Sequence, residues 1–418
     1  MYKHSWSTCS ALTSIAVLWL AGCDSPQDVV TNPAVPDSSA EARVEVEASA
    51  ASILGEPLRG LTADELTRFA AGLEEFDEVE TIDGGLGPVF NEAACSTCHT
   101  NPVGGTNGRV ETRFGRLVAG LFDPMASAGG SLLQDQGIGP VGGDPPTHHY
   151  AAELVPTDAT ITAKRITTPL FGLGLVDAVA DEYLLQLARL QATNSPRTAG
   201  TPHMVLEIRS GRMRVGRFGW KAQVPTLFQF SGDAYLNEMG ITNPEFPDES
   251  CPQGDCTGLA HNPAPDLNDD GEGVEAFNDF MTLLAPPARG PNTFLVLKGR
   301  ALFSQIGCAN CHTPTLVTGP SPVAALSRKV FAPFSDFLLH DMGSLGDGIV
   351  QGQAGGRQMR TAPLWGVRTR TALLHDGRAP TIRAAIVAHD GQGRFARTRF
   401  LGLSVGGRAA LLAFVRSL

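Results

Sequence analysis

The pentapeptide Cys-x-x-Cys-His occurs twice, as Cys95-Ser-Thr-Cys98-His99 and as Cys308-Ala-Asn-Cys311-His312. It is the attachment signal of a c-type haem. The two thiols add across the vinyl groups of one porphyrin, and the adjacent imidazole is then held under the iron as its proximal ligand. A structural zinc site would need a second Cys-x-x-Cys or a paired histidine cluster beside each motif, and neither has one. Two covalently bound haem c groups are therefore expected, held by Cys95, Cys98, Cys308 and Cys311 with His99 and His312 as iron ligands. Such a chain must wrap two large flat cofactors, and that governs everything else it can fold into.

The N-terminus agrees with this chemistry. Residues 1–22 carry Lys3 and His4, an apolar run from Ala11 to Leu20, and small residues just before Cys23. The run is too short to cross a bilayer stably. The segment resembles a bacterial lipoprotein signal, which would leave Cys23 as the lipidated first residue; the alternative is an ordinary secretory peptide. Either reading exports the protein, here to the periplasm, with membrane contact through the lipid anchor only.

Of eight cysteines, Cys9 leaves with the signal, Cys23 is lipidated and four carry haem. Cys251 and Cys256 remain, in the turn-rich stretch Cys251-Pro-Gln-Gly-Asp-Cys256. In an oxidising compartment this reads as a short-loop disulfide rather than a metal or redox pair, because no histidine or further cysteine accompanies it.

The formal charge of −11 argues against nucleic acid or an anionic lipid surface as a partner. A basic redox protein docking on an acidic face is one expectation, and a merely solvated acidic surface is the other.

Residues 23–53 are rich in Pro, Ser, Ala, Val and Glu without periodicity and read as a flexible tether. Thr62-Ala-Asp-Glu65 is a capping box opening a helix to about Phe76. Further helices are expected over Ala180–Ala192, Val274–Leu284, Thr293–Ile306 and Gly407–Leu418. From Asn101 to Tyr150 the chain reads as loop, with many glycines. The proline-rich run Pro286 to Pro291 looks like a hinge. The expected fold is mainly α, with cytochrome c-like haem domains over 54–290 and 291–418 joined by long irregular loops. Asp266, Asn268, Asp270 and Gly271 match the first half of a calcium loop, but Phe277 stands where the bidentate glutamate belongs. A calcium ion is one reading, and an Asp-rich helix cap is the other.

Several segments together carry a resemblance. They are Gly84-Gly-Leu-Gly-Pro-Val-Phe-Asn91, Thr168-Pro-Leu-Phe-Gly-Leu-Gly-Leu-Val176, Gly216-Arg-Phe-Gly-Trp-Lys-Ala222 and Phe334-Ser-Asp-Phe-Leu-Leu-His-Asp-Met-Gly343. Arg360-Thr-Ala-Pro-Leu-Trp-Gly366, Leu374-His-Asp-Gly-Arg378 and Thr381-Ile-Arg-Ala-Ala385 complete the set. In order from about residue 54, the chain resembles the di-haem oxidoreductase family. That is the peroxidase or thiol oxidoreductase-like branch of the bacterial di-haem cytochrome c peroxidase and MauG superfamily.

The resemblance implies that the C-terminal haem stores electrons and the N-terminal one meets peroxide. It implies a sixth ligand for the C-terminal iron near His389, where relatives carry Met or Tyr; Met342 is the rival. Tyr235-Leu-Asn-Glu-Met-Gly240 resembles the segment bearing the acidic group of the peroxidases, which makes Glu238 the candidate general acid/base. His340, His375, Arg360 and Arg378 fall in shared motifs and are expected near the haems or their propionates rather than on iron. His148, His149 and His203 belong to no recognisable motif. Trp220 reads as an electron relay or as an ordinary core residue. The first functional expectation is reduction of hydrogen peroxide, or another small oxidant, with electrons from a small cytochrome or cupredoxin. The alternatives are MauG-like oxidation of an unknown substrate and a non-enzymatic electron-transfer cytochrome. Thiol oxidation finds no supporting residue.

Overall fold

The computed structural model describes residues 54–418. The expected signal peptide, the lipidated Cys23 and the tether lie outside the described residues.

The helices begin where local chemistry starts them. Helix α1 (Ala63–Asp77) opens on the capping box: Glu65 N donates to Thr62 Oγ1 at 3.2 Å, and Thr62 N donates to Glu65 Oε2 at 2.7 Å. Threonine caps likewise open α3 (Leu227–Met239) and α5 (Phe294–Gln305), with α2 (Asp181–Asn194) and α4 (Glu272–Leu283) between them in the chain. Helices α6 (Ile382–Ala388), α7 (Arg394–Gly402) and α8 (Val405–Arg416) close the chain.

Two apolar cores result. Helices α1, α3 and α4 build the first around Phe69, Phe76, Tyr235, Phe277 and Phe280. Helices α5 and α8 build the second, with Phe303 and Phe414 rings 5.3 Å apart in edge contact. Burying one such phenylalanine stabilises by about 1.5–3 kcal/mol. Gly299 makes the α5–α8 crossing possible, since a Cβ there would collide with the Ala410 carbonyl. The cores do not divide at residue 290. Leu316, Phe331, Phe337 and Trp365 pack into the first one although they lie well beyond the hinge.

Mainly α is too simple a description. Among the described residues helix makes up 35 % and strand 16 %, the latter in short antiparallel pairings. The stretch read as loop holds the longest strand, Val110–Val118, paired from Val110↔Ile166 to Gly115↔Ile161 and edged by Leu121–Asp123. Its longer pairing is with a segment some fifty residues away, and its short partner Leu121–Asp123 follows an Ala119-Gly120 turn that is not one of the usual hairpin dipeptides. Along this strand Glu111 and Arg113 fall on one face by the two-residue period of the pleat. That face matters below.

Candidate functional site

Each Cys-x-x-Cys-His motif opens onto its own cavity. The first cavity, about 1270 Å³, is lined by Cys95, Cys98 and His99 together with Glu111, Arg113 and Glu238. The second, about 1550 Å³, is lined by Cys308, Cys311 and His312 together with His389 and Arg360. All four motif cysteines are free. Burial pushes the Cys98 and Cys308 thiols up to about 12, the reverse of what a redox-active thiol requires.

In the second cavity the two imidazoles are set for a metal. His312 donates from Nδ1 to the Phe334 carbonyl at 3.0 Å, and His389 donates from Nδ1 to the Ala385 carbonyl at 2.8 Å. Such second contacts fix tautomer and ring orientation and leave Nε2 for the metal. The ring centres stand 6.3 Å apart. Two metal–nitrogen bonds of about 2 Å, each from a nitrogen about 1 Å off its ring centre, span about 6 Å. The pair therefore fits one iron between them. Burial lowers His312 to about 4 and also lowers His389, so both rings are neutral and able to ligate. Met342, the rival ligand, lines the same cavity beside His389.

Around that pair lie groups that do not reach a metal position. His340 places Nδ1 3.4 Å from Cys311 Sγ and Nε2 3.0 Å from Asp336 Oδ2. Burial works against its charged form, yet Asp336 and Cys311 hold its pKa well above the usual histidine value. His375 lines the cavity and meets Trp220 edge-on at 6.2 Å.

Arg360 is buried and Arg370 half-buried at the same cavity, and neither pairs with a carboxylate among the described residues. Arg360 donates to the carbonyls of Gly219 (2.7 Å) and Thr361 (3.1 Å); Arg370 donates to those of Pro363 and Trp365, while its Nε has no partner. Burial pushes both guanidiniums down to about 10. Two guanidiniums facing one cavity without a carboxylate partner would suit carboxylate ligands there, and the propionate arms of a porphyrin would match them. Arg378, the sequence candidate for this task, is instead exposed, paired with Asp376 and absent from the cavity wall. Its motif position misled, because nothing local distinguishes a buried arginine from a surface one.

The first cavity is built differently. His99 is buried and lowered to about 4, chiefly by desolvation, with the backbone of Gly105 and Thr168 pulling the other way. Its Nδ1 has no hydrogen-bond partner among the described residues. Near the C-terminal end of α3, Glu238 Oε2 accepts from Asn91 Nδ2 at 2.9 Å, while the Glu238 carbonyl accepts from Asn91 N at 2.7 Å. Burial raises the Glu238 carboxyl to about 7, Glu111 adds to this, and Asn91 and Arg113 oppose it. One turn earlier Asp233 is raised to about 6, also by burial. Arg113 is paired with Glu111 at 2.7 Å. This wall offers proton-exchanging carboxyls where the second cavity offers an imidazole.

Trp220 lines both cavities, with Nε1 donating to the Ile166 carbonyl at 2.9 Å. The loose histidines do not enter either cavity. His203 is buried between the Lys221 carbonyl (2.8 Å) and the Gln353 N–H (3.0 Å), and His148 stacks on His261. Cys251 and Cys256 form a disulfide. In the Asp-rich loop, Asp269 accepts from Gly273 N and Asp270 from Glu272 N, while Asn268 bonds Thr242. These are capping contacts, and no cluster of three metal-binding side chains occurs among the described residues.

Comparison with known proteins bears on the same features. The family described as "Di-haem oxidoreductase, putative peroxidase" matches residues 147–418. No curated protein matches the chain by sequence. Among solved structures, hydrazine synthase of Kuenenia stuttgartiensis is similar at 14 % identity and a TM-score of 0.38, covering 99 % of this chain and 100 % of that one. The di-haem peroxidase BthA of Burkholderia thailandensis is similar at 15 % identity and a TM-score of 0.38, covering 84 % of this chain and 86 % of its own. Likeness at that level carries no argument about this chain; the family match, over more than half its length, does. The two-cavity chain belongs to the di-haem oxidoreductase family and is a di-haem peroxidase-like oxidoreductase.

Proposed function

We propose that this protein reduces hydrogen peroxide to water, taking its electrons one at a time from a small cytochrome or cupredoxin. In this reading it is an exported protein, lipid-anchored through Cys23 in the periplasm, with one haem at each of the two cavities. Cys95, Cys98, Cys308 and Cys311 bond the two porphyrins, and His99, His312 and His389 ligate the irons. Bound in this way, haem supplies one-electron redox chemistry and a metal at which peroxide can be cleaved.

The chain's own residues set the division of labour. His312 and His389 saturate the C-terminal iron, which suits it to electron storage. Glu238 stands in the N-terminal cavity and moves a proton from the inner to the outer oxygen of peroxide, so that water leaves. Asn91 aims that carboxyl through its 2.9 Å hydrogen bond. Trp220, common to both cavity walls, lies on the route between the two centres. Arg360 and Arg370 hold the propionates of the C-terminal haem. Two electrons and two protons convert one peroxide into two waters.

The observation that carries the reading is the asymmetry of the cavities: facing imidazoles 6.3 Å apart in one, a buried carboxyl with a pKa of about 7 in the other. Carbon monoxide titration of the reduced protein tests it. One ligand bound per chain is expected. Two low-spin centres inert to carbon monoxide and to peroxide would leave an electron-transfer cytochrome.

A further inference from the structure

The whole chain is acidic, but its last segment is not. Residues 357–418 hold eleven arginines and two aspartates, with no lysine or glutamate, which is a formal +9 within a chain of −11. Four of those arginines, Arg383, Arg394, Arg397 and Arg399, sit on α6 and α7, the helix pair that closes the C-terminal cavity. On their inner side Ile382, Ile386 and Ala396 line the cavity, and His389 follows α6 directly. On their outer side Arg383, Arg394 and Arg399 are exposed. Asp390, the one acidic residue of the pair, is turned inward. It is 8 % exposed and accepts from Arg394 Nε and from the Ser344 hydroxyl, each at 2.8 Å.

On the same two helices the apolar side chains Val387, Phe395 and Leu401 are exposed by 38 %, 52 % and 46 %. Phe395 is half exposed and also lines the cavity, so it links solvent to the cofactor pocket through one side chain. The Arg399 guanidinium covers its ring at 4.3 Å. Exposed charge of one sign beside a solvent-reaching aromatic ring suits a brief, electrostatically steered encounter.

We infer that the outer face of α6 and α7 is the docking surface for a small acidic electron-donor protein, which passes its electron to the C-terminal haem beside Phe395. The donor is oxidised by one electron and the C-terminal iron reduced by one; two such encounters supply one peroxide. This rests on the di-haem reading above and names the donor's surface chemistry. It also reverses the simplest expectation from net charge, which pointed to a basic partner.

Stopped-flow reduction of the oxidised holoprotein by a fully reduced acidic flavodoxin tests the docking face without peroxide. The second-order rate constant should fall about tenfold or more as salt rises from about 10 to 300 mM. Arg383→Glu with Arg399→Glu should lower it by a similar factor at low salt. Arg383→Glu alone should show part of the loss. This residue is exposed in the first turn of α6, where a glutamate suits the helix dipole, so that variant should fold as the parent does. Peroxide turnover with a small dye reductant should be unchanged in both. A rate constant that rises with salt, or that neither variant moves, overturns the inference. If the parent fails to turn over peroxide with the dye while the flavodoxin results hold, the peroxidase reading falls and the docking face stands.

Discussion

Replacing Glu238 by glutamine removes one ionisable hydrogen and changes almost no volume, so its effects report on charge. Burial raises this carboxyl from 4.5 to about 7. At about 1.4 kcal/mol per pH unit, the shift corresponds to about 3 kcal/mol, an upper bound that the cofactor's own field will modify. A folded-state pKa above the unfolded one stabilises the native protein at low pH. That contribution is whole below pH 4.5 and is lost as pH rises through 7. Glutamine cannot ionise, so it escapes the loss. Denaturant unfolding of the haem-loaded proteins should therefore give similar stabilities at pH 5, with the variant gaining up to about 3 kcal/mol on the parent by pH 9. Peroxide turnover should move the other way. The parent's rate should climb through pH 7 as the carboxylate form appears, and the variant should be slower by about 10²–10⁴ with no such limb. A stability difference that is flat with pH, with turnover retained, would refute both the burial argument and the assigned role.

Other consequences are as direct. His389→Ala should open the sixth position of the C-terminal iron, converting the low-spin haem absorbance to high spin and doubling carbon monoxide uptake; His389→Met should stay low-spin at a higher midpoint potential. Arg370→Met should lower the stability of the loaded protein by about 1.5–3 kcal/mol, the value of a hydrogen bond to a charged group, read by denaturant titration. Gly299→Ala should cost about 1–3 kcal/mol or more in a thermal melt, because the new methyl meets the Ala410 carbonyl where α5 crosses α8.

What could be read from the chain was what local chemistry encodes. The two pentapeptides point to the cysteines and histidines that line the two cavities, and Thr62 with Glu65 marks the start of α1 to the residue. His389 was legible from its place downstream of a motif, but its distance from His312 is a tertiary fact. Glu238 was marked only by a resembling segment. Its shifted pKa comes from a cavity assembled by α3, the Asn91 segment and the Val110–Val118 strand. That strand was missed because glycines and arginines dilute its alternation and its longer pairing is with a segment far along the chain. Arg370 was missed for a related reason: its place at the cavity without a carboxylate partner depends on the loop around Trp365 packing into the first core. The hinge at 286–291 was visible as prolines, yet a backbone break does not divide side-chain packing, and segments beyond it return to the first core.

The most direct test is an intact-mass measurement on the exported, denatured chain. Thioether bonds survive denaturation, so the account predicts two porphyrins retained, one on Cys95 and Cys98 and one on Cys308 and Cys311. A chain carrying one porphyrin or none would contradict it.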